Sequence, residues 1–449
     1  MSFEQFWRCL ILQFGKKLCL ILMAMLLVAV CASAEMYVEL PAQGLGVSQN
    51  ITVNMPGENP DIPGINPLTG ENWVGLYHPI LVSTDNHPEA LPHWGTSSAD
   101  ILYEFPIQMD GSTRMIALYM SEKPTYAGPV RSGRVMMAKL REMWNGAWVF
   151  YGWQSSFGAE ANPLVDVVDF TTMLHEDARQ KGRWVFPYVE GMEKNYSSFF
   201  HRETDGNHKN PHNVQVDLRM VENLFGNAEP QKHPFKFSPV GLTYGADVSG
   251  ITVNYKTTNP AYVTGFEFNP MTGNYTRFAN GAEYYDALNG VTCEFANVII
   301  VRTSITSQTN NASRVMIQTY GQGPCEIFQN GKYVRGTWVQ SDNPQKANEY
   351  NSVTSRMIFL DPYGNELEMK VGKTAILFIN VDQPVVIRTS TQITGAQVVG
   401  TPAPTATPIP TRVPKPTRAP KPQDLNQVNN SNFLNMTDDD EEEKSLFGN

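Results

Sequence analysis

The feature that most constrains this fold is a succession of strand-length apolar runs between residues 229 and 398. "GITVNY", "YVTGFEFN", "NYTRFA", "ANVIIVRTS", "RVMIQTY", "CEIFQNGKYVRGTWV", "RMIFLDPYGNELEMK" and "TAILFIN" follow one another with only tight turns between them. Runs of this length, rich in β-branched and aromatic residues and bounded by Gly, Asn, Asp and Pro, read as strands. Asn330-Gly331 is a hairpin signal, because both positions of a two-residue type I′ turn need positive φ. Asp361 to Glu366, "DPYGNE", is a second turn of the same kind. A β-rich domain is expected here, with no catalytic pattern inside it.

The preceding region, residues 61–228, mixes strand and helix. "PILVSTDN" (79–86), "ADILYEFPI" (99–107) and "TRMIALYMS" (113–121) read as strands, the last two joined by the turn "QMDGS". In "SGRVMMAKLREMW", Met136, Leu140, Met143 and Trp144 fall at helical spacing on one apolar stripe. "AWVFYGW" (147–153) returns to strand. The expected class is α+β, with an N-terminal mixed α/β sheet domain followed by the β-rich C-terminal domain. "NPLTGEN" at 66 and "NPMTGNY" at 269 share a spelling, but their flanks do not align; both read as turns.

The two ends differ from the middle. Arg8, Lys16 and Lys17, the apolar run Leu18–Val30 and Ala32-Ser33-Ala34 compose an export signal over residues 1–34. Cys31 could close a lipobox, although Val30 before it is bulkier than lipid attachment prefers. Residues 35–60 are expected to be a flexible segment. From residue 399 the chain reads as a disordered tail, Pro-rich over 401–422 and acidic over Asp438–Glu443. The protein is therefore placed outside the cytoplasm, secreted or held at the outer face of the membrane or in the wall. A net charge of −10 gives no support to a nucleic-acid partner. Removal of the signal leaves Cys293 and Cys325, either bridged or reduced.

The polar residues that interrupt apolar stretches are the candidates for chemistry: Asp85, Asn86, Asp100, Glu104, Arg114, Arg131, Arg134 and His212. On one strand Asp100 and Glu104 would lie about 13 Å apart, too far for a carboxylate pair. The histidines show no compact zinc spacing, and the proline in "HKNPH" breaks any helix, so no metal site is expected. His87, before a proline, reads as a turn residue, and His212 as a hydrogen-bonding residue or a base. No nucleophile elbow, P-loop or dinucleotide fingerprint occurs. Ser132 reads as a helix N-cap, with Arg131 and Arg134 sharing a face of the first turn. Positive side chains are unfavourable at that end of a helix unless an anion compensates. That anion is either one of Asp85, Asp100 and Glu104, or a bound ligand.

The ordered motifs "NPLTG", "DNHPEALP", "SADILYE", "DGSTRMIALY", "AGPVRSGR" and "NPHNV" resemble those of the YerB-like family. "FEFNPMTGNYTR", "ANVIIV", "NGKYVRGTWV" and "GNELEMKVGKTAILFI" extend the resemblance over about residues 61–385. The resemblance implies exported proteins of Gram-positive bacteria, often lipoproteins, with an N-terminal α/β domain and a β-rich C-terminal domain; it implies no known reaction. This chain departs from that pattern at Leu91, where the family usually has arginine. It departs again at Tyr151-Gly152-Trp153, where a His-Gly-Gly-like turn is usual.

The expected function is that of an envelope binding or scaffold protein. Arg114, Arg131 and Arg134 would offer a basic cleft to an anionic wall component, or to another envelope protein. No cofactor is expected. The alternative is a phosphotransferase acting on polyprenyl-linked polymers, by a pattern loosely similar to the LytR-CpsA-Psr family. There the arginines would hold a pyrophosphate, and Asp85 or Asp100 a Mg2+ ion. A third reading is a structural module without a ligand.

Overall fold

The computed structural model describes residues 35–42, 58–154, 167–180, 188–308, 312–340 and 356–399. The export signal, Cys31, the Pro-rich stretch and the acidic run lie outside the described residues.

Strand is the dominant element. The N-terminal half contributes β1 (Met36–Leu40), β2 (Ile80–Asp85), β3 (Ile101–Pro106), β4 (Thr113–Tyr119), β5 (Ala147–Phe150), β6 (Tyr188–Glu190) and β7 (Val214–Asp217). Its helices are α1 (Val135–Trp144), α2 (Val167–Gln180) and the short α3 (Leu218–Asn223). The C-terminal half adds β8 (Ala246–Lys256), β9 (Tyr262–Asn269), β10 (Asn274–Ala279), β11 (Asn297–Thr303) and β12 (Gly321–Gln329). It continues with β13 (Lys332–Gln340), β14 (Ile358–Leu360), β15 (Thr374–Asn380) and β16 (Val385–Thr389).

The two halves share one sheet. Its order is β6-β5-β2-β4-β3-β15-β11-β12-β13-β14. The join is the parallel pairing of β3 with β15, in which Ile101 meets Thr374 and Glu104 meets Leu377. Every residue of β3 is buried, as are Thr374–Ile379 of β15. A strand apolar on both faces belongs in the middle of a sheet, and these two occupy that place against each other.

The period-2 alternation of the strands feeds two cores, one on each face. Ile80, Val82, Leu102, Met115, Ala117, Val298, Ile300, Ala375 and Leu377 pack in one. Leu81, Ile101, Tyr103, Phe105, Ile116, Leu118, Ile299, Ile376 and Phe378 pack in the other, against Met137, Leu140 and Trp144 of α1. The face opposite α1 is covered by a second layer in the order β1-β16-β8-β9-β10.

Three local expectations are corrected. Met36–Leu40, placed in a flexible segment, is a strand paired with β16, because its alternating Val38 and Leu40 enter the core. Helix α1 is buried on every side rather than along one stripe, and it encloses the Arg141–Glu142 ion pair. It also begins at Val135 with Arg134 as its N-cap, so Ser132 is not the cap. The residues before it are drawn out as extended chain: Val130 bridges Thr84, Arg131 N–H donates to the Ser83 carbonyl at 2.9 Å, and the Arg131 carbonyl accepts from Tyr151 N–H at 3.1 Å. Gly133 continues this path against the rings of Trp148 and Phe150, where an added Cβ would stand only 3.0–3.2 Å from their carbons.

Candidate functional site

β2 ends by delivering Asp85 into a buried cluster. Asp85 faces Arg114 across the β2–β4 ladder. One carboxylate oxygen, Oδ2, accepts from His212 Nδ1 at 2.7 Å and lies 3.2 Å from Arg131 Nε. The other, Oδ1, accepts from the His87 amide at 3.1 Å. Arg114 donates to the Ser132 carbonyl at 3.1 Å. Burial alone would raise the Asp85 carboxyl. The hydrogen bond from His212 and the charges of Arg131 and Arg114 outweigh it, and hold the group far below the usual carboxylate range.

Asn86 and Glu104 form an adjoining network that crosses the two halves. The Asn86 amide donates to Glu104 at 3.1 Å and to Thr113 at 2.7 Å. Glu104 also accepts from Thr264 on β9 at 2.8 Å and from Arg277 on β10 at 2.8 Å. The Arg277 guanidinium lies 4.1 Å from the ring centre of Tyr284. Asp100 sits at the opposite end of the ladder, where it accepts from Met120 N–H at 2.7 Å, Ser121 N–H at 3.1 Å and Asn66 at 2.9 Å. Burial pushes its carboxyl up. Both Asp85 and Asp100 are thus occupied by protein donors.

The predicted arginine trio is divided. Arg114 and Arg131 turn inward to the Ser132 carbonyl and Asp85, whereas Arg134 lines a cleft beside α1. The shared helical face expected for Arg131 and Arg134 does not form, because only Arg134 reaches the helix. Phe105 and Ile107 from the N-terminal half and Val315 and Ile317 from the C-terminal half wall that cleft, together with Met136 and Phe170. Lys139 and Gln154 join Arg134 as its polar lining, and the cleft between these groups is small, about 30 Å³, and partly open to solvent. No spacing rule marked Lys139 or Gln154, since the sequence does not reveal that α1 packs beside residues 315–317.

His208, His93 and the two cysteines are held inside the fold. His208 bridges Asp205 at 2.8 Å and the Pro92 carbonyl at 2.9 Å, and His93 is buried against Tyr284. Cys293 and Cys325 are both buried and unbridged.

Residues 68–231 match the family model described as "Protein of unknown function (DUF3048) N-terminal domain", and residues 251–376 the corresponding C-terminal domain. Over 282 residues the chain is 25% identical to "Putative lipoprotein YerB" of Bacillus subtilis (strain 168), an alignment covering 61% of this chain and 77% of that protein. The crystal structure of Bacillus subtilis YerB superposes with a TM-score of 0.56 at 24% identity, covering 72% of this chain and 99% of that one. This chain is a member of the DUF3048 family and carries both its N-terminal and its C-terminal domain.

Proposed function

We propose that this protein is an envelope-associated binding protein whose site is the cleft between α1 and residues 315–317, and whose ligand is an amphiphile with an anionic head. One observation carries the reading: two cationic side chains, Arg134 and Lys139, share a single cleft with an apolar wall built by both halves of the molecule. A headgroup would meet Arg134 near the positive end of the α1 dipole, while the first carbons of its chain would rest on the partly exposed Val315 and Met316. The relative named as a lipoprotein supports the location. The phosphotransferase reading is not taken up, because Asp85 and Asp100, its Mg2+ holders, face protein donors at opposite ends of β4.

The test is binding of a polyprenyl phosphate, the matching uncharged polyprenol and inorganic phosphate, each to the wild type and to Arg134→Gln. Losing a charge-assisted hydrogen bond is worth about 1.5–3 kcal/mol, so the polyprenyl phosphate should weaken about 10- to 100-fold in the variant. The other two probes should bind poorly to both proteins. Equal binding of polyprenyl phosphate by wild type and variant, or no binding at all, would refute the cleft.

A further inference from the structure

His87, Glu89 and His212 lie outside the cleft and take no part in the reading above. They come from two loops far apart in sequence: His87 and Glu89 follow β2, and His212 precedes β7. In space one ligand atom from each lies within 4.8 Å of the other two. His212 Nε2 and Glu89 Oε2 are 3.7 Å apart, and the rings of His87 and His212 stack with centroids 4.5 Å apart.

The surroundings select the donor atoms. Asp85 Oδ2 pairs with the Arg131 charge and faces His212 Nδ1 at 2.7 Å, so the carboxylate accepts and the His212 hydrogen resides on Nδ1. The lone pair of His212 then sits on Nε2, on the side of Glu89. A buried carboxylate behind a histidine is the arrangement that fixes the tautomer and orientation of a metal-ligating imidazole. His87 Nδ1 accepts the Glu89 amide at 3.2 Å in an exposed turn. A neutral imidazole has one lone pair, so His87 exchanges this long bond for the ion. Glu89 has a side chain 63% exposed and can swing to close the remaining gap.

We infer that His87, Glu89 and His212 form a site for one borderline divalent transition-metal ion, Zn2+ being the best match, with Asp85 holding His212 from behind. Two imidazoles and one carboxylate make a three-ligand set that leaves a fourth tetrahedral position to water or a partner's ligand. The nitrogen content argues against Ca2+ and Mg2+, which take oxygen ligands. Zn–N and Zn–O bonds of about 2.0–2.2 Å require the two stacked imidazoles to splay apart and the exposed Glu89 side chain to swing inward.

The test is titration of the metal-stripped full chain with Zn2+, and with Co2+ as a spectroscopic stand-in. Wild type should take up one tightly held equivalent of Zn2+, and Co2+ should develop the intense visible bands of a four-coordinate site with nitrogen ligands. Glu89→Ala and His87→Ala should each lower the affinity at least tenfold and abolish those bands. Glu89 is exposed, so its variant tests the site without disturbing the core. His201→Ala, at an exposed histidine elsewhere, should change nothing. Absence of the cobalt bands in wild type would overturn the inference, as would uptake undiminished in Glu89→Ala and His87→Ala; the latter would place the ion on the acidic run Asp438–Glu443 or another surface group.

Discussion

Asp85 and His212, 127 residues apart, meet at 2.7 Å where the end of β2 receives the loop before β7. Arg131 reaches the same carboxylate oxygen at 3.2 Å, so the positive charge that precedes α1 is answered from inside the molecule.

The Asp85 cluster should set a pH limit on stability. The folded-state pKa of Asp85 is depressed, so its stabilisation is fully present above the unfolded value of about 3.9 and is lost as pH falls below it. Breaking a buried pair costs about 3–5 kcal/mol, and Asp85→Asn should be destabilised by about 3 kcal/mol at pH 7. The gap between variant and wild type should narrow steadily below about pH 4. Urea melts of the EDTA-treated proteins across pH would read this, and a gap independent of pH would contradict it.

The shared sheet should make the two family domains unfold together. β3 and β15 belong to different halves yet pair residue for residue. Tryptophan fluorescence and far-ultraviolet circular dichroism should therefore give coincident denaturation curves with one midpoint. Two separated transitions would show that the β3–β15 join is weak.

Glu104 and Arg277 form a buried bridge across that join. Glu104→Gln and Arg277→Met should each cost about 3–5 kcal/mol by stranding a buried partner. The double variant should lose clearly less than the sum of the two. Strict additivity in a thermodynamic cycle would mean that the pair does not couple the halves.

Cys293 and Cys325 should behave as inert thiols. Burial pushes the Cys293 thiol up to about 12 and raises Cys325 well above its ordinary value. A thiol reagent should find neither cysteine in the native protein and both after denaturation. Recovery of fewer than two under denaturing, non-reducing conditions would reveal a bridge.

Much of the fold was legible because it rests on local patterns. The strands of the C-terminal half, the Asn330-Gly331 turn between β12 and β13, and helix α1 all follow from period and turn chemistry. What was not legible is pairing at long range. β3 and β15 are both apolar on two faces, and nothing in either says that the other is its neighbour. The site shows the same division. Asp85, Asn86, Arg114, Arg131 and His212 stood out as polar residues in apolar stretches, and the structure gathers them. Arg277 carried a comparable signal, since it shares the inward face of β10 with the buried Tyr275, but its partner Glu104 lies 173 residues away. Glu89 carried none, being an exposed turn residue.

The central claim is that the two arginines of "RSGR" have separate duties, Arg131 in the fold and Arg134 in the cleft. Melting temperature and polyprenyl phosphate affinity, measured together on Arg131→Ala and Arg134→Ala, test it most directly. Arg131→Ala should melt several degrees lower yet still bind when folded, whereas Arg134→Ala, which gives up its bond to the Gly133 carbonyl, should lose less stability than Arg131→Ala and bind at least tenfold more weakly. Equal loss of stability in both variants, with binding unchanged in Arg134→Ala, would contradict it.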